Sequence, residues 1–449
     1  MADIKLIEIN QFRGIQKLVV SDFSRINLIV GDNNCGKTTF LEAIQLLFTN
    51  AQMSSVKNII KQRTVLNPND MSFYVSFINM FNVNQKDELL DLDIYAESNK
   101  DSIEFEIKGH EKKVSGDDAL QMSLVSARQK MVKASSFLPE TAKIFEGSMI
   151  SKNSKKTVER GIRLTSLDGT IPGPVAKKEV QYISSFGHLR YDLLKNIVDN
   201  AEYKKLAISI LKQFDESIVD ICYTKTDDGA FLESVITADG VNMPFSVYGD
   251  GIRKILYILN KLFDATDSIL LIDEIETGLH KKYYDELFPV VFELAKKLNV
   301  QLFIATHSME AIDAILAYGK YDDEMQENDP IKVITLKKID AKDGKGYAIL
   351  VREEFSCLEF IMNRDTINWI LKKLNTGGRI WSIYQRKSIK TASATRWWEN
   401  TTSPIWSCRR KAAPLDGGAG CTRRFCKNTG PASTAPCFCR ENSGHILLT

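Results

Sequence analysis

The chain has 449 residues, 44% of them hydrophobic and 26% charged, with a net charge of +2. That composition fits a folded protein of two or three domains and excludes a disordered, collagen-like or low-complexity chain. No apolar run approaches the length of about 18 residues needed to cross a bilayer as a helix. Met1 to Lys5 has no signal-peptide core, so the expected location is the cytoplasm.

At the N-terminus, Ile4, Leu6, Ile7 and Ile9 alternate imperfectly with Lys5 and Glu8, which predicts a half-buried strand. Ile26 to Val30 is an unbroken apolar run, the pattern of a strand buried on both faces. A loop from Gly31 to Lys37 follows, then a helix over Thr38–Phe48. Leu90–Ile94 and Ile103–Ile107 alternate cleanly and predict antiparallel strands. Residues 129–165 are polar and rich in Lys and Ser, and read as a mobile loop. No heptad repeat is sustained anywhere in 51–180.

Beyond residue 182 the periodicity sharpens. Tyr191–Phe214 reads as mostly helical and Phe231–Ile236 as a strand. Ile252, Ile255, Leu256, Leu259, Leu262 and Phe263 mark one face of an amphipathic helix. Ser268–Ile272 is a strand, Lys281–Leu298 a helix and Gln301–Thr306 another strand. This alternation predicts an α/β fold: a largely parallel sheet with helices on both faces, an antiparallel β subdomain and a helical region. The expected organisation is residues 1–50 and 181–325 as two halves of one head, 51–180 as an insertion, and 326–378 as an extension.

The last segment differs in kind. Residues 379–449 carry a balance of +9, whereas 1–378 carry −7. The mildly acidic body argues against a large nucleic-acid footprint. Five of the eight cysteines (Cys408, Cys421, Cys426, Cys437 and Cys439) fall in this tail, with four of the five tryptophans. The tail has no apolar periodicity and reads as disordered or non-native. The rival readings are a basic nucleic-acid tail and a zinc site on Cys421, Cys426, Cys437 and Cys439, but Cys437 and Cys439 are spaced too closely for the usual pairs.

The chemistry is carried by three segments. Gly31-Asp32-Asn33-Asn34-Cys35-Gly36-Lys37-Thr38 matches G-x-x-x-x-G-K-[ST], lying between a strand and a helix. Its glycines let backbone N–H groups converge on phosphate oxygens, and the helix N-terminus adds a favourable field. Lys37 would reach the β- and γ-phosphates, and the Thr38 hydroxyl would ligate Mg²⁺. Cys35 reads as a small loop residue, with no histidine partner suggested. The strand Ser268–Ile272 runs into Asp273 and Glu274, at the carboxyl end where open α/β sheets bind ligands. Asp273 would hold Mg²⁺, and Glu274 would take a proton from an attacking water, with Glu276 as the next candidate. Acidic residues at a strand exit are also common with no such role. His307 closes the strand Gln301–Thr306 and would sense the γ-phosphate, although a lone histidine at a strand end is more often structural.

Asn10-Gln11-Phe12-Arg13-Gly14-Ile15, the Gly31–Thr39 loop, Leu270 to His280 and Ala305-Thr306-His307-Ser308 occur in the order of the ABC-type ATPases of the OLD, RecF and SMC-like branch, which this chain resembles over residues 1–50 and 180–320. The resemblance implies ATP and Mg²⁺ as cofactors, with Gly31, Asn33, Asn34, Cys35, Gly36, Lys37, Thr38 and Thr39 at the nucleotide. It implies a signature loop whose counterpart is Ser246-Val247-Tyr248-Gly249-Asp250-Gly251, with Ser246, Gly249 and Gly251 facing ATP on a second subunit. The loop departs from the family's Leu-Ser-Gly-Gly, and a helix-capping turn with Asp250 as N-cap is the plain alternative. Gln181 is the candidate for the family's lid glutamine.

These features set the expected function: a head-to-tail homodimer closing around two ATP molecules and controlling a separate effector protein, as in anti-phage systems such as PARIS. No membrane partner is expected, and nucleic acid is not evident as one. The alternatives are an OLD-type nuclease and a long-armed DNA-repair ATPase. The first needs a TOPRIM carboxylate set, and the region past 310 offers only Asp340 and Asp343 at the wrong spacing. The second needs heptads that the sequence lacks.

Overall fold

The computed structural model describes residues 3–64, 72–82, 85, 89–122, 139–167, 180–189, 193–227, 229–321, 331–340 and 347–356. All of them fall within the unit Met1–Thr376. The tail from 379, residue Asp343 and most of the 326–378 extension lie outside the described residues.

Fifteen strands are described: β1 (Ile4–Phe12), β2 (Ile15–Ser21), β3 (Ile26–Val30), β4 (Leu89–Ser98), β5 (Ser102–Ser115), β6 (Thr141–Asn153), β7 (Thr157–Thr165), β8 (Val180–Ile183), β9 (Ile218–Lys225), β10 (Phe231–Thr237), β11 (Asn242–Pro244), β12 (Ile269–Asp273), β13 (Gln301–Thr306), β14 (Lys332–Asp340) and β15 (Tyr347–Ser356). They form three sheets. An antiparallel sheet has the order β2-β1-β4-β5-β6-β7, a central sheet β15-β14-β3-β13-β12-β8, and a small one β11-β10-β9. In the central sheet β8, β12, β13, β3 and β14 run parallel, and β15 is antiparallel to β14. Every residue of β3, β12 and β13 is buried, as expected for interior parallel strands covered on both faces.

Alternation along these strands divides the core in two. Ile29, Tyr182, Ile269, Leu271, Phe303 and Ala305 point to one side, where they meet the helix α1 (Lys37–Leu47) and the antiparallel sheet. Leu28, Val30, Ile183, Leu270, Ile272, Leu302 and Ile304 point to the other, where the helices Ala201–Phe214, Asp250–Asp264, Tyr284–Lys297 and Met309–Tyr321 pack. Helix α1 is therefore held between two sheets, and Thr38 is its only residue that is not buried.

Three expectations need correction. The described part of 129–165 is no mobile loop: it holds the whole hairpin β6–β7. The insertion is not separate from the N-terminal half, because β4 pairs with β1 in one sheet. Nor does the head end at 325, since β14 pairs with β3 at the middle of the central sheet.

The two large sheets are stitched by one amide. Gln301 is fully buried at the start of β13. Its Oε1 accepts from the Ile4 N–H at 2.8 Å, and its Nε2 donates to the carbonyls of Ile4 and Ser24, each at 3.0 Å. Gln301→Leu keeps the volume but orphans these buried groups, each worth about 1–3 kcal/mol. We expect urea unfolding to show a loss of about 2–4 kcal/mol; an unchanged midpoint would mean that water replaces the amide.

Candidate functional site

The loop from Gly31 to Gly36 has the strained backbone that a phosphate cradle needs. Gly31 and Gly36 have φ of 148° and 99°, and Asn34 lies at 62°. A Cβ on Gly31 would sit 2.4 Å from the Leu336 carbonyl oxygen and 2.7 Å from Cys35 Sγ. Strand β14 thus presses on the loop, and only glycine fits there. Gly36 caps α1 without a side-chain hydrogen bond, which leaves the helix N-terminus open to an anion. The Lys37 ammonium folds back over the loop and donates to the carbonyls of Gly31 at 2.7 Å and Asp32 at 2.9 Å. Cys35 is buried, and burial pushes its thiol above the usual range, which argues against a nucleophile. Asn33 and Asn34 are exposed at the loop's outer edge.

Strand β12 delivers Asp273 to the α1 side of the sheet. The Thr38 hydroxyl donates to Asp273 Oδ2 at 2.8 Å, and the Tyr182 phenol from β8 donates to the same oxygen at 3.1 Å. Asp273 Oδ1 is buried with no hydrogen-bond partner. Burial pushes the Asp273 carboxyl upward, and its two hydroxyl partners oppose that. Burial also raises the Tyr182 phenol well above its usual range, with Asp273 and Glu42 adding to the effect. A buried carboxylate with one free oxygen beside a threonine hydroxyl is a hard-oxygen donor set suited to Mg²⁺.

Glu274 turns out of the strand with φ 48°, an uncommon conformation for a residue with a side chain. Thr277 secures it: its N–H donates to the Glu274 carbonyl at 3.0 Å, and its hydroxyl lies 3.3 Å from Oε2. Glu276 is committed elsewhere. Its Oε1 accepts from the His307 N–H at 3.2 Å and lies 3.1 Å from His307 Nδ1. That leaves Glu274 as the better-placed base of the two, with the exposed His307 tied to the loop that follows β12.

The Ser246–Gly251 loop differs from the alternative capping turn on Asp250. Gly249, not Asp250, is the N-cap, and no side chain caps the Asp250–Asp264 helix. Ser246 and Gly249 are exposed. Gly251 lies against the Gly278 carbonyl and the Tyr283 ring, where an added Cβ would be 3.7 Å from each. Among the described residues, no hydrogen bond or ion pair joins this loop to the P-loop of the same chain. Gln181 does not reach the nucleotide side at all. It pairs with Leu270, three residues before Asp273, and its Oε1 meets Lys261 Nζ at 3.5 Å on the opposite face of the sheet. The lid assignment is therefore corrected: the neighbouring Tyr182 is the β8 residue that faces α1.

Sequence reasoning assigned no role to five further residues. Glu42 on α1 is fully buried and is clamped by two guanidinium groups. Arg63 Nε and Nη2 lie 2.7 and 2.8 Å from its two oxygens, and Arg13 Nε lies 2.9 Å from Oε2. Arg63 Nη2 also donates to the Thr39 hydroxyl at 3.0 Å, so the clamp holds the helix start. Lys254, on the Asp250–Asp264 helix, is fully buried with its ammonium 3.4 Å from the Ser185 carbonyl. His188 is buried against Gly278, where a Cβ would lie 2.7 Å from Nε2. Only Arg13 carried a sequence signal, as part of the Asn10–Ile15 segment.

Residues 3–165 match the family model "AAA ATPase domain", and residues 156–313 match "AAA domain, putative AbiEii toxin, Type IV TA system". The chain is an ATPase. A Helicobacter pylori protein named "ATP/GTP phosphatase" is 23% identical over 334 residues, covering 70% of this chain and 87% of that protein. Among solved structures, an SMC head bound to the C-winged helix domain of ScpA aligns at 11% identity and a TM-score of 0.44, covering 80% of this chain and 99% of that one. The SMC head domain from Thermotoga maritima aligns at 10% identity and 0.40, covering 78% and 99%.

The buried Lys254 makes a stability prediction. Burial lowers its ammonium from 10.5 to about 8, against the pull of Glu276, Asp273 and Glu274. Between those two values the unfolded chain binds a proton that the native chain has lost, so this residue's contribution to stability rises with pH. Below about pH 8 both states are charged, and burial costs about 3 kcal/mol at 1.36 kcal/mol per pKa unit. Lys254→Met should therefore raise the unfolding free energy by about 1–3 kcal/mol at pH 7, with the gain shrinking toward pH 10. Urea titrations of both proteins at the two pH values check this. A variant less stable at pH 7 would show that pairing with the carboxylates outweighs desolvation.

Proposed function

We propose that this chain binds and hydrolyses Mg-ATP as an ABC-type ATPase of the OLD, RecF and SMC-like branch, closing head to tail with a second copy. The observation that carries the reading is the Thr38–Asp273 hydrogen bond, which joins the phosphate loop to the carboxylate strand with Asp273 Oδ1 left free. The loop N–H groups and the start of α1 would bind the phosphates, and Lys37 would leave the Gly31 and Asp32 carbonyls for the β- and γ-oxygens. Thr38 and Asp273 would hold Mg²⁺, which neutralises phosphate charge when bound. Glu274 would accept the proton of the attacking water, and His307, tied to Glu276, would lie at the γ-phosphate. The printed name of the Helicobacter pylori relative agrees with triphosphate hydrolysis.

The dimer reading rests on the uncapped, exposed start of the Asp250–Asp264 helix. Ser246, Gly249 and Gly251 would present its N–H groups to the γ-phosphate held by the other copy. The biological role we propose is a cytoplasmic sensor or scaffold in anti-phage defence whose ATP state holds or frees a separate effector. The match of residues 156–313 to the AbiEii-type AAA model is consistent with a place among such systems.

Two variants test the chemistry. Lys37→Ala removes the cation at the phosphates, and turnover should fall by at least about 100-fold; wild-type turnover would end the phosphate-loop reading. Glu274→Gln keeps size and polarity but cannot take the proton, so hydrolysis should drop about 10²–10⁴-fold while ATP stays bound. Light scattering should then show a persistent dimer, and normal hydrolysis would place the base elsewhere. The effector reading has its own test. The purified protein with ATP, Mg²⁺ and plasmid or tRNA should leave the nucleic acid intact. Cleavage that disappears in Glu274→Gln would replace the sensor with a self-contained nuclease.

A further inference from the structure

Tyr182 and Gln181 are neighbours on β8, and strand alternation sends them to opposite faces of the central sheet. Gln181 goes to the Lys261 side, and Tyr182 goes to the side of α1. There the phenol meets an oxygen that already accepts from Thr38. Asp273 Oδ2 thus takes two donors, at 2.8 and 3.1 Å, while Oδ1 takes none. Two donors converging on one oxygen from different elements fix the carboxylate plane. A single donor would let it swing about the Cβ–Cγ bond. The phenol itself cannot drift, because the Tyr182 ring is buried in the core shared with α1 and β12.

We propose that Tyr182 is the positioning residue of the metal site: it locks Asp273 Oδ2 so that Oδ1 is held toward the divalent cation that accompanies ATP. The inference rests on the ATPase reading above. Tyr182 is not a metal ligand, since its proton points at Asp273. Its part is that of an outer partner that orients a ligating carboxylate, and removal of such partners typically weakens metal binding about 10–100-fold. The Thr38 hydroxyl can keep its proton on Oδ2 while its lone pairs face the cation, so the two donors act together rather than in turn.

The test compares wild type, Tyr182→Phe and Asp273→Asn. Phenylalanine keeps the buried ring and removes only the hydroxyl. Mn²⁺ binding is followed by electron paramagnetic resonance with a non-hydrolysable ATP analogue, and metal-free binding of the same analogue by calorimetry. Tyr182→Phe should bind the metal-free analogue like wild type, but take up Mn²⁺ about tenfold more weakly. In turnover assays its half-saturating Mg²⁺ should rise by a similar factor, with kcat recovering at high Mg²⁺. Asp273→Asn should lose Mn²⁺ binding altogether. Wild-type Mn²⁺ affinity in Tyr182→Phe would overturn the inference and leave the ATPase reading standing. Equal weakening of metal-free and metal-loaded binding would also overturn it, by showing a merely structural role. Failure of the wild-type protein to bind the analogue or Mn²⁺ would bring down the ATPase reading, and this inference with it.

Discussion

A carboxylate buried at the end of a strand must be given donors or a cation, because burial strips the water that would solvate it and an apolar wall offers nothing in return. Asp273 is such a group, and the rest of the head is arranged around its needs. Strand β12 must be flanked by β8 and β13 so that Tyr182 arrives on one side and the loop to His307 on the other. Its register must place residue 273 on the α1 face, where Thr38 waits. Helix α1 must in turn begin at Lys37, so that Thr38 in its first turn reaches that oxygen. A slip of one residue in β12 would turn Asp273 into the opposite core, among leucines and isoleucines.

The charges behind the site follow the same logic of compensation. Glu42 would be untenable inside α1 if Arg13 and Arg63 did not reach it from two different segments. Those contacts bring the Phe12–Arg13 corner and the end of the Met53–Lys61 region onto the same helix turn as Thr39. Lys254 approaches from the opposite side of the sheet. The Asp273 site is thus flanked by the Arg13–Glu42–Arg63 cluster on one face of the sheet and by the buried Lys254 on the other, so that the Gly31–Gly36 loop, the first hairpin and the Asp250–Asp264 helix share one electrostatic frame.

What could be read from the sequence was what is local. The Gly31–Thr38 pattern, the β3 run and the Ser268–Glu274 strand exit each carry their meaning within about ten residues. Gln301–Thr306 was legible to the residue for the same reason. The face of a short strand is not local. Gln181 and Tyr182 are indistinguishable until the pairing with Leu270 and Leu271 sets which one sees α1. Strands β6 and β7 were hidden because β7 is an edge strand whose residues are mostly exposed, so Lys, Arg, Glu and Ser blur the alternation. Arg63, Lys254 and His188 gave no signal because their partners lie in other segments. The place of β14 beside β3 depended on more than 300 intervening residues.

That last pairing has a consequence for how the protein is made. The Leu336 carbonyl packs against Gly31, so the wall of the phosphate loop comes from a strand that the ribosome reaches long after the loop itself. The nascent N-terminal hairpin and α1 emerge early, while the surfaces meant to cover them are still unsynthesised. The head therefore cannot mature sector by sector from its N-terminus, and β3 stays an open edge with an incomplete loop until β13 and β14 arrive. The Gly31 loop is in this way left without its wall until Leu336 has been made, about 300 residues after the loop itself.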